Sequence, residues 1–269
     1  MVLVSVLTTA YNAEKYLSAS IQSILNQSYK EIEYVVYDDC STDSTFKVMM
    51  DFQAKDKRII AIKGEKKLSI PECRNKLIHL AKGKYIAWQD ADDISMPYRI
   101  AEQVALMESK PDIGICGGYL EFISHTGQST SMRMYHTDDR ELRRHIFRYS
   151  PVAQPAAMIR RSLFQVVGDY NKKYFVSQDL DMSFRIGQVS KFANVPRVLV
   201  QYREHDQSIS MNKLKFQLRY TLDIRSIYWY SHSYAPNILD GIYYFATFVM
   251  MALPKRIANQ AFKLLRNTS

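Results

Sequence analysis

Three carboxylates, Asp90, Asp92 and Asp93, stand at the end of an apolar run, residues 85–88. Like charges this close repel one another unless a cation lies among them. Mg²⁺ and Mn²⁺ prefer carboxylate oxygens and keep coordination positions open for phosphate. Because the run has the character of a β-strand, the tract predicts a metal and phosphate site at the carboxyl end of a strand, where open α/β sheets bind ligands. The alternative is a solvated acidic turn, which the tract alone does not exclude.

Polar residues follow two other predicted strands. The β-branched run 2–9 ends at Thr9, shortly before Tyr11, and the run 34–37 ends at Asp38 and Asp39. If these strands are parallel, their carboxyl ends lie on one edge of the sheet together with residues 90–93. No Gly-x-Gly-x-x-Gly follows the first strand and no Gly-Lys-Ser/Thr loop occurs, which disfavours a dinucleotide-binding site and a P-loop.

The elements that must position these residues alternate between strand and helix patterns in the first half of the chain. This alternation predicts an α/β fold with a mainly parallel central sheet and helices on both faces. Asn12 is a candidate N-cap for the first helix, and Ser69 with Glu72 has the form of a capping box. The second half is less regular, with strands expected at 113–123 (broken near residue 117), 156–159 and 195–202, and helices at 142–149 and 179–189.

Composition narrows the class of protein. The chain has 269 residues, 47% hydrophobic and 23% charged, as is ordinary for a globular protein with a full core. The widely spaced Cys40, Cys73 and Cys116 disfavour a disulfide framework or a zinc site and favour a reducing cytoplasm. The apolar first ten residues are expected to form a strand and not a signal peptide.

Charge is unevenly distributed along the chain. Residues 1–132 contain 15 Lys/Arg and 17 Asp/Glu, a net of −2, whereas residues 133–269 contain 21 and 10, a net of +11. This asymmetry indicates an anionic partner, either nucleic acid or anionic lipid, or else a solvated basic face.

The C-terminal part adds an aromatic, uncharged run. Residues 241–254 number 14, fewer than the ~20 that a membrane-spanning helix needs. Basic residues follow the run at Lys255, Arg256, Lys263 and Arg266. The pattern predicts either an interfacial helix on an anionic leaflet or a helix packed on the domain.

Six motifs, taken in order, resemble those of family 2 glycosyltransferases with the GT-A fold. They are Thr-Ala-Tyr-Asn at 9–12, Asp-Asp-Cys-Ser-Thr-Asp at 38–43, Arg-Asn at 74–75, Asp-Ala-Asp-Asp at 90–93, Gln-Asp-Leu-Asp at 178–181 and Tyr-Arg-Glu-His at 202–205. The resemblance covers residues 1 to about 210. It implies a GT-A catalytic domain at 1–210, with a nucleotide-binding half (1–117) and an acceptor-binding half (118–210). A helical basic and aromatic extension would occupy 211–269.

The resemblance also implies roles on the donor side. It places three residues at the nucleobase: Thr9, Tyr11 and Asp39. Arg74 would contact the nucleotide, and Asp90 would hold the ribose. Asp92 would hold a divalent metal, Mn²⁺ or Mg²⁺, on the diphosphate, with His205 completing the metal shell.

Asp179 resembles the catalytic carboxylate of the family, at the head of a helix. A helix N-terminus lowers the pKa of a carboxylate and burial raises it, and the sequence does not settle the balance. The family most often has Glu-Asp where this chain has Gln178 and Asp179, so acceptor geometry is expected to differ while activity survives. Asp181 is a weaker candidate for the base.

The implied function is an inverting glycosyltransferase that moves a sugar from a nucleotide-diphosphate donor, expected to be a UDP-sugar, to an acceptor hydroxyl. The context is bacterial surface polysaccharide or lipopolysaccharide synthesis. The expected partners are a nucleotide-sugar, a glycan or lipid-linked acceptor and an anionic membrane surface, without nucleic acid. The protein is expected to be cytoplasmic and peripheral on the inner face of the cell membrane.

Two other classes stay open at the level of sequence. A sugar-phosphate nucleotidyltransferase usually needs a Gly-rich basic loop after the first strand, where this chain has Tyr-Asn-Ala-Glu at 11–14. A non-catalytic basic protein that binds nucleic acid would interleave aromatic and basic residues on a sheet face; here the basic residues concentrate in the second half. A non-catalytic basic protein that binds membrane belongs to the same class of alternative.

Overall fold

The computed structural model describes residues 1–205 and 213–254, and its strands form one sheet. The strands are β1 (Val4–Ala10), β2 (Ile32–Asp38), β3 (Ile59–Lys63), β4 (Tyr85–Trp88), β5 (Ile94–Ser95), β6 (Ile113–Ile123), β7 (Ser129–Arg133), β8 (Met158–Arg160) and β9 (Lys191–Arg203). Their order is β3-β2-β1-β4-β8-β6-β9-β5, with β7 paired to β6. The strands from β3 to β4 are parallel, as is β6 with β9, whereas β8, β5 and β7 pair antiparallel.

Helices cover both faces of the sheet, as expected. They are α1 (Glu14–Leu25), α2 (Thr45–Gln53), α3 (Ile70–Leu80), α4 (Arg99–Ser109), α5 (Asp139–His145), α6 (Leu163–Val167), α7 (Gln178–Gly187), α8 (Leu214–Tyr228) and α9 (Ile238–Ala252). Successive strand residues point to opposite faces. Val6 therefore joins the core under α1, α2 and α4, while Leu7 joins the core under α3, α7 and α8.

The two predictions about helix starts have different outcomes. The predicted pairing of Ser69 with Glu72 is present, because the Glu72 carboxylate accepts hydrogen bonds from both the backbone N–H and the hydroxyl of Ser69. Asn12 is not the N-cap of α1, which is Ala13. Asn12 instead adopts a left-handed φ of 47°, and its side-chain oxygen accepts from the backbone N–H of Thr42, joining the turns after β1 and β2.

The predicted break near residue 117 is a change of register and not a gap. β6 runs through it, and its pairing with β9 shifts between Gly118 and Tyr119. The predicted boundary between 210 and 211 lies outside the described residues.

The C-terminal helices pack on the domain. Tyr228 at the end of α8 stacks on Phe184 of α7 with ring centroids 4.6 Å apart. In α9 the fully buried Asp240 accepts from Arg148 Nε at 2.7 Å. The inward face of α9 therefore supports the packed-helix alternative.

The opposite face of α9 is apolar and exposed. We call its six exposed large side chains the apolar stripe: Ile238, Leu239, Ile242, Phe245, Phe248 and Val249. Within the described ranges, none of the helices is long and apolar enough to cross a membrane. The basic residues at 255, 256, 263 and 266 fall outside those ranges.

Candidate active site

The carboxyl ends of three parallel strands lie side by side at one edge of the sheet. Ala10 at the end of β1 pairs with Asp38 at the end of β2, and the N–H of Asp39 donates to the Ala10 carbonyl at 2.8 Å. On its other side β1 pairs with β4, which leads into the acidic tract. The sequence-based expectation that these ends share one edge is confirmed.

Asp39 and Tyr11, two of the residues expected at the nucleobase, frame a space that Lys67 fills. Asp39 Oδ1 accepts from the N–H of Leu68 at 2.8 Å, and Oδ2 pairs with Lys67 Nζ at 2.8 Å. The same ammonium lies 2.8 Å from the centroid of the half-exposed Tyr11 ring. Thr9, the third such residue, is partly buried near the end of β1. Sequence reasoning missed Lys67, because nothing in its local pattern sets it apart from other loop lysines.

Arg74 is buried with part of its hydrogen-bonding capacity unused. The residue is only 6% exposed, and its guanidinium lies 5.0 Å from the Trp88 ring and 5.6 Å from the Tyr170 ring. Within the described part of the chain, its Nε and Nη1 have no acceptor, while Nη2 lies 3.7 Å from Asp90 Oδ1. Buried charged donors are normally satisfied, so this geometry suits an anionic ligand.

Trp88 and Tyr170 complete the site and were not foreseen. Tyr170 reaches Arg74 because Asn75 bonds to both the N–H and the carbonyl of Tyr170 at 2.9 Å. This clamp joins residues 95 positions apart, so no local sequence signal could have indicated it.

The acidic tract divides into an open carboxylate and a structural one. The side chain of Asp90 keeps 35% of its surface exposed. Desolvation raises its pKa to about 6; Arg74 opposes the shift, and the charges of Asp92 and Asp179 add to it. Asp93 is fully buried and accepts from the N–H of Arg203 at 2.8 Å, so it holds the loop. Burial, then the neighbouring carboxylates, place the pKa of Asp93 well above its usual value.

Asp92 and His205, expected at the metal, are in contact. His205 Nε2 lies 2.8 Å from Asp92 Oδ2, and its ring is 5.3 Å from that of Tyr16. A carboxylate and an imidazole at this separation, next to the mutually repelling Asp90, fit the ligand set of a divalent cation. Desolvation is the main cause of the raised pKa of Asp90, and such a cation would relieve the part that repulsion by Asp92 adds.

Asp179 lies in the first turn of α7, within electrostatic range of Arg74. Its pKa is raised because burial outweighs the charge of Arg74 and the backbone N–H groups at the helix start. The structure thus settles the balance that the sequence left open. Asp181, by contrast, pairs with Arg185 at 2.7 Å and is committed to that contact. Gln178 is buried, and its Oε1 has no hydrogen-bond partner among the residues that the structure describes.

Comparisons with known proteins find relatives that match most of the chain. An uncharacterized glycosyltransferase of Methanocaldococcus jannaschii is 31% identical over 250 residues, covering 91% of this chain and 85% of that protein. The Escherichia coli UDP-Glc:alpha-D-GlcNAc-diphosphoundecaprenol beta-1,3-glucosyltransferase WfaP is 31% identical over 231 residues, covering 84% and 87%. Both relatives are thus matched along most of their length.

A solved structure and a family model complete the comparison. The mannosyltransferase PcManGT from Pyrobaculum calidifontis, in complex with GDP-Man and Mn²⁺, superposes with a TM-score of 0.66 at 16% identity, over 97% of this chain and 73% of that one. The GT-A fold expected from the motifs is confirmed by this neighbour. The model of glycosyl transferase family 2 matches residues 5–168. The chain therefore belongs to family 2 of the glycosyltransferases and is a glycosyltransferase.

Proposed function

We propose that the protein is an inverting glycosyltransferase that transfers a sugar from a UDP-sugar to an acceptor hydroxyl in bacterial surface polysaccharide or lipopolysaccharide synthesis. The observation that carries the proposal is the buried Arg74. Among the described residues its Nε and Nη1 have no acceptor, while its Nη2 lies 3.7 Å from Asp90 Oδ1 and its charge acts on Asp179. A diphosphate supplies the anion that these donors lack, and the relative WfaP is named for a UDP-sugar.

The donor is bound by residues on one rim in this proposal. The base stacks on Tyr11 and bonds to Asp39 near Thr9, after Lys67 moves aside. Asp90 accepts from the ribose hydroxyls, and Arg74 donates to the diphosphate. Asp92 and His205 would hold Mn²⁺ or Mg²⁺, which when bound neutralises charge on the departing diphosphate.

Asp179 then acts as the general base. It takes the proton of the acceptor hydroxyl as that oxygen attacks the anomeric carbon, while the bond from that carbon to the phosphate oxygen breaks on the opposite face. The raised pKa of Asp179 makes it a better proton acceptor than an ordinary carboxylate. Single displacement from the opposite face inverts the anomeric configuration.

We further propose that the acceptor is lipid-linked and that the apolar stripe of α9 rests on the anionic inner leaflet of the cell membrane. The stripe gives the helix an apolar face next to a basic chain segment, as interfacial helices have. The name of WfaP gives its acceptor as a sugar linked to diphosphoundecaprenol, which is a lipid. This arrangement would bring the cytoplasmic site to the headgroup layer.

Two measurements, the donor-induced shift in Tm and the turnover, test the catalytic proposal when wild type is compared with Asp179→Asn. Thermal shift with a panel of nucleotide-sugars and Mn²⁺ should raise Tm for the correct donor, since a ligand at about 100 times its Kd adds roughly 2.7 kcal/mol. Asp179→Asn should keep that shift while turnover falls by about 10²–10⁴-fold. Unchanged turnover in Asp179→Asn would assign the base elsewhere, and no shift with any donor would count against the nucleotide site itself.

A further inference from the structure

Two histidines and a glutamate come together at α5, apart from the residues assigned to donor and base. His136, Glu141 and His145 each offer one ligand atom, and these atoms all lie within 4.8 Å of one another. The rings of His136 and His145 are stacked, with centroids 4.8 Å apart and planes at 21°. None of the three has a role in the proposed transfer.

His145 is held in the tautomer that a metal ligand requires. Its Nδ1 lies 2.8 Å from the backbone carbonyl of Glu141, and because a carbonyl only accepts, Nδ1 carries the proton. In the neutral ring this leaves the lone pair on Nε2. Metal-bound histidines almost always donate their second ring N–H in this way, which fixes the ring and strengthens the ligand.

The backbone that carries the three residues is fixed to β9. The amide nitrogen of Asn194, a residue only 2% exposed, donates to the carbonyl of His136 at 2.8 Å. At the other end, Asp139 in the first turn of α5 accepts from the N–H of Phe192 at 2.9 Å. The ligands are thus placed by the fold, and only side-chain rotation separates them from a closed site.

The rotation needed is small. Ligand atoms around a tetrahedral ion with bonds of about 2.0–2.1 Å lie about 3.4 Å apart, so atoms at the present limit of 4.8 Å must approach by about 1.4 Å. His136 is exposed, which leaves its ring room to turn out of the stack. The Glu141 carboxylate has loose contacts with exposed Arg144 at 3.7 Å and with His145 Nδ1 at 3.9 Å, and it must turn from both toward His145 Nε2 to close the site.

We propose that His136, Glu141 and His145 form a second metal site that takes Zn²⁺ or another late first-row divalent ion. Imidazole and carboxylate are the usual zinc ligands, and three of them leave a fourth position open. Nitrogen-rich sets favour such ions over Mn²⁺ and Mg²⁺, which suit the carboxylate-rich donor site. His136 also lines a surface cavity of about 350 Å³ together with Tyr119, Arg133, Met134, Tyr135 and Tyr149, so the ion would fix one wall of that cavity.

The test isolates this site from the donor site. Untagged full-length protein carrying Asp92→Asn and His205→Gln is stripped with a chelator and titrated with Zn²⁺ against a chromophoric competitor. Co²⁺ as a second probe reports the geometry through its visible absorption. His136→Gln, His145→Gln and Glu141→Gln are then added singly, and exposed His232→Gln serves as the matched control.

The parent should bind one Zn²⁺, which raises its Tm, and Co²⁺ should give a four-coordinate spectrum. Each substitution at the site should weaken Zn²⁺ binding by at least tenfold, since even outer-shell partners are worth roughly 10–100-fold, while His232→Gln changes nothing. His136→Gln alters an exposed side chain, so a folded variant is expected for the decisive comparison. A parent without stoichiometric Zn²⁺, or His136→Gln and His145→Gln variants that bind it like the parent, would overturn the site.

Discussion

Arg74 is the residue whose surroundings most need a ligand. Its buried guanidinium lies near two aromatic rings, and two of its nitrogens lack acceptors among residues 1–205 and 213–254. Hydrogen bonds to charged groups contribute about 1.5–3 kcal/mol each. Arg74→Ala should therefore weaken UDP binding, measured by calorimetry, by about 10–150-fold. Arg74→Lys should recover little, because an ammonium lacks the planar fork of donors.

Surface Arg58, which pairs with Asp56 at 2.7 Å, supplies the control for this prediction. Arg58→Ala should leave UDP binding unchanged. Equal affinities of wild type and a folded Arg74→Ala protein would show that the guanidinium only stabilises the Trp88 and Tyr170 packing.

Substitution of Lys67 is expected to have the opposite effect, which is tighter binding of the nucleotide. Its ammonium occupies the space between Tyr11 and Asp39 where the base is proposed to bind. It is half-exposed, and exposed ion pairs contribute about 0.2–1 kcal/mol. Lys67→Met should thus tighten uridine binding by up to about fivefold, because it removes a competitor. Weaker binding would mean that Lys67 itself contacts the nucleotide; Lys66→Met, at the neighbouring loop position, is the control.

Asp90 links pH to stability. Its pKa is about 6 in the folded protein against an ordinary 3.8, so the native state binds this proton more tightly than the unfolded chain. The corresponding stability is complete below pH 4 and is lost as pH rises through about 6. Asp90→Asn should therefore raise the Tm of the metal-free protein at pH 7.5 by a few degrees, given about 1 kcal/mol after discounting for exposure.

At pH 4 this gain in Tm should vanish, while donor binding at neutral pH should fall. Asp112 provides a contrast, since its pKa is lowered by its hydrogen bond to Lys191 and Asp112→Asn should not raise Tm. A Tm gain for Asp90→Asn that is independent of pH would contradict the assignment.

At the scale of elements, the sequence predicted those strands and helix starts that depend on short stretches of the chain. The strands of the first half and the helix opened by Ser69 follow from apolar periodicity and capping chemistry, and the motifs located Asp90 and Asp179. The sequence could not show that Tyr170 reaches Arg74 or that Lys67 fills the space between Tyr11 and Asp39. Such contacts depend on packing between distant segments, which also turned Asn12 from a cap into a link to Thr42.

The start of α3 positions two parts of the site. Glu72 accepts from Ser69, which follows the Lys67 and Leu68 contacts to Asp39, and the helix then carries Arg74. Loss of a cap costs about 1 kcal/mol. Glu72→Ala should thus lower Tm by about 2–4 °C and weaken UDP binding as well. Exposed Glu65→Ala in the same loop is the control, and a Glu72→Ala protein with unchanged Tm would show that the cap is not needed.

At the scale of the whole molecule, charge and exposed apolar surface are segregated. The first half carries the acidic rim and a net charge of −2, while the second half is strongly basic and contains the apolar stripe of α9. An enzyme with a lipid-linked acceptor needs such a separation of charged and apolar surface, because its site must face the leaflet while its donor arrives from water. The ion pair between Arg148 and the fully buried Asp240 joins α9 to the domain that carries the site.

The apolar stripe is therefore expected to bind anionic vesicles. Burial of a Phe side chain contributes about 1.5–3 kcal/mol, and each nearby Lys or Arg adds about 1 kcal/mol on an anionic surface. The double variant Phe245→Ser/Phe248→Ser should lose at least tenfold in partition to vesicles rich in anionic lipid, measured by co-sedimentation. The control Val166→Ser/Val189→Ser, at exposed sites elsewhere, should bind like wild type, and salt should weaken both.

Turnover of a water-soluble acceptor should stay unchanged in the stripe variant while turnover of a lipid-linked acceptor falls. Undiminished vesicle binding by that variant would mean that α9 does not contact the membrane, and that the basic charge alone draws the protein there.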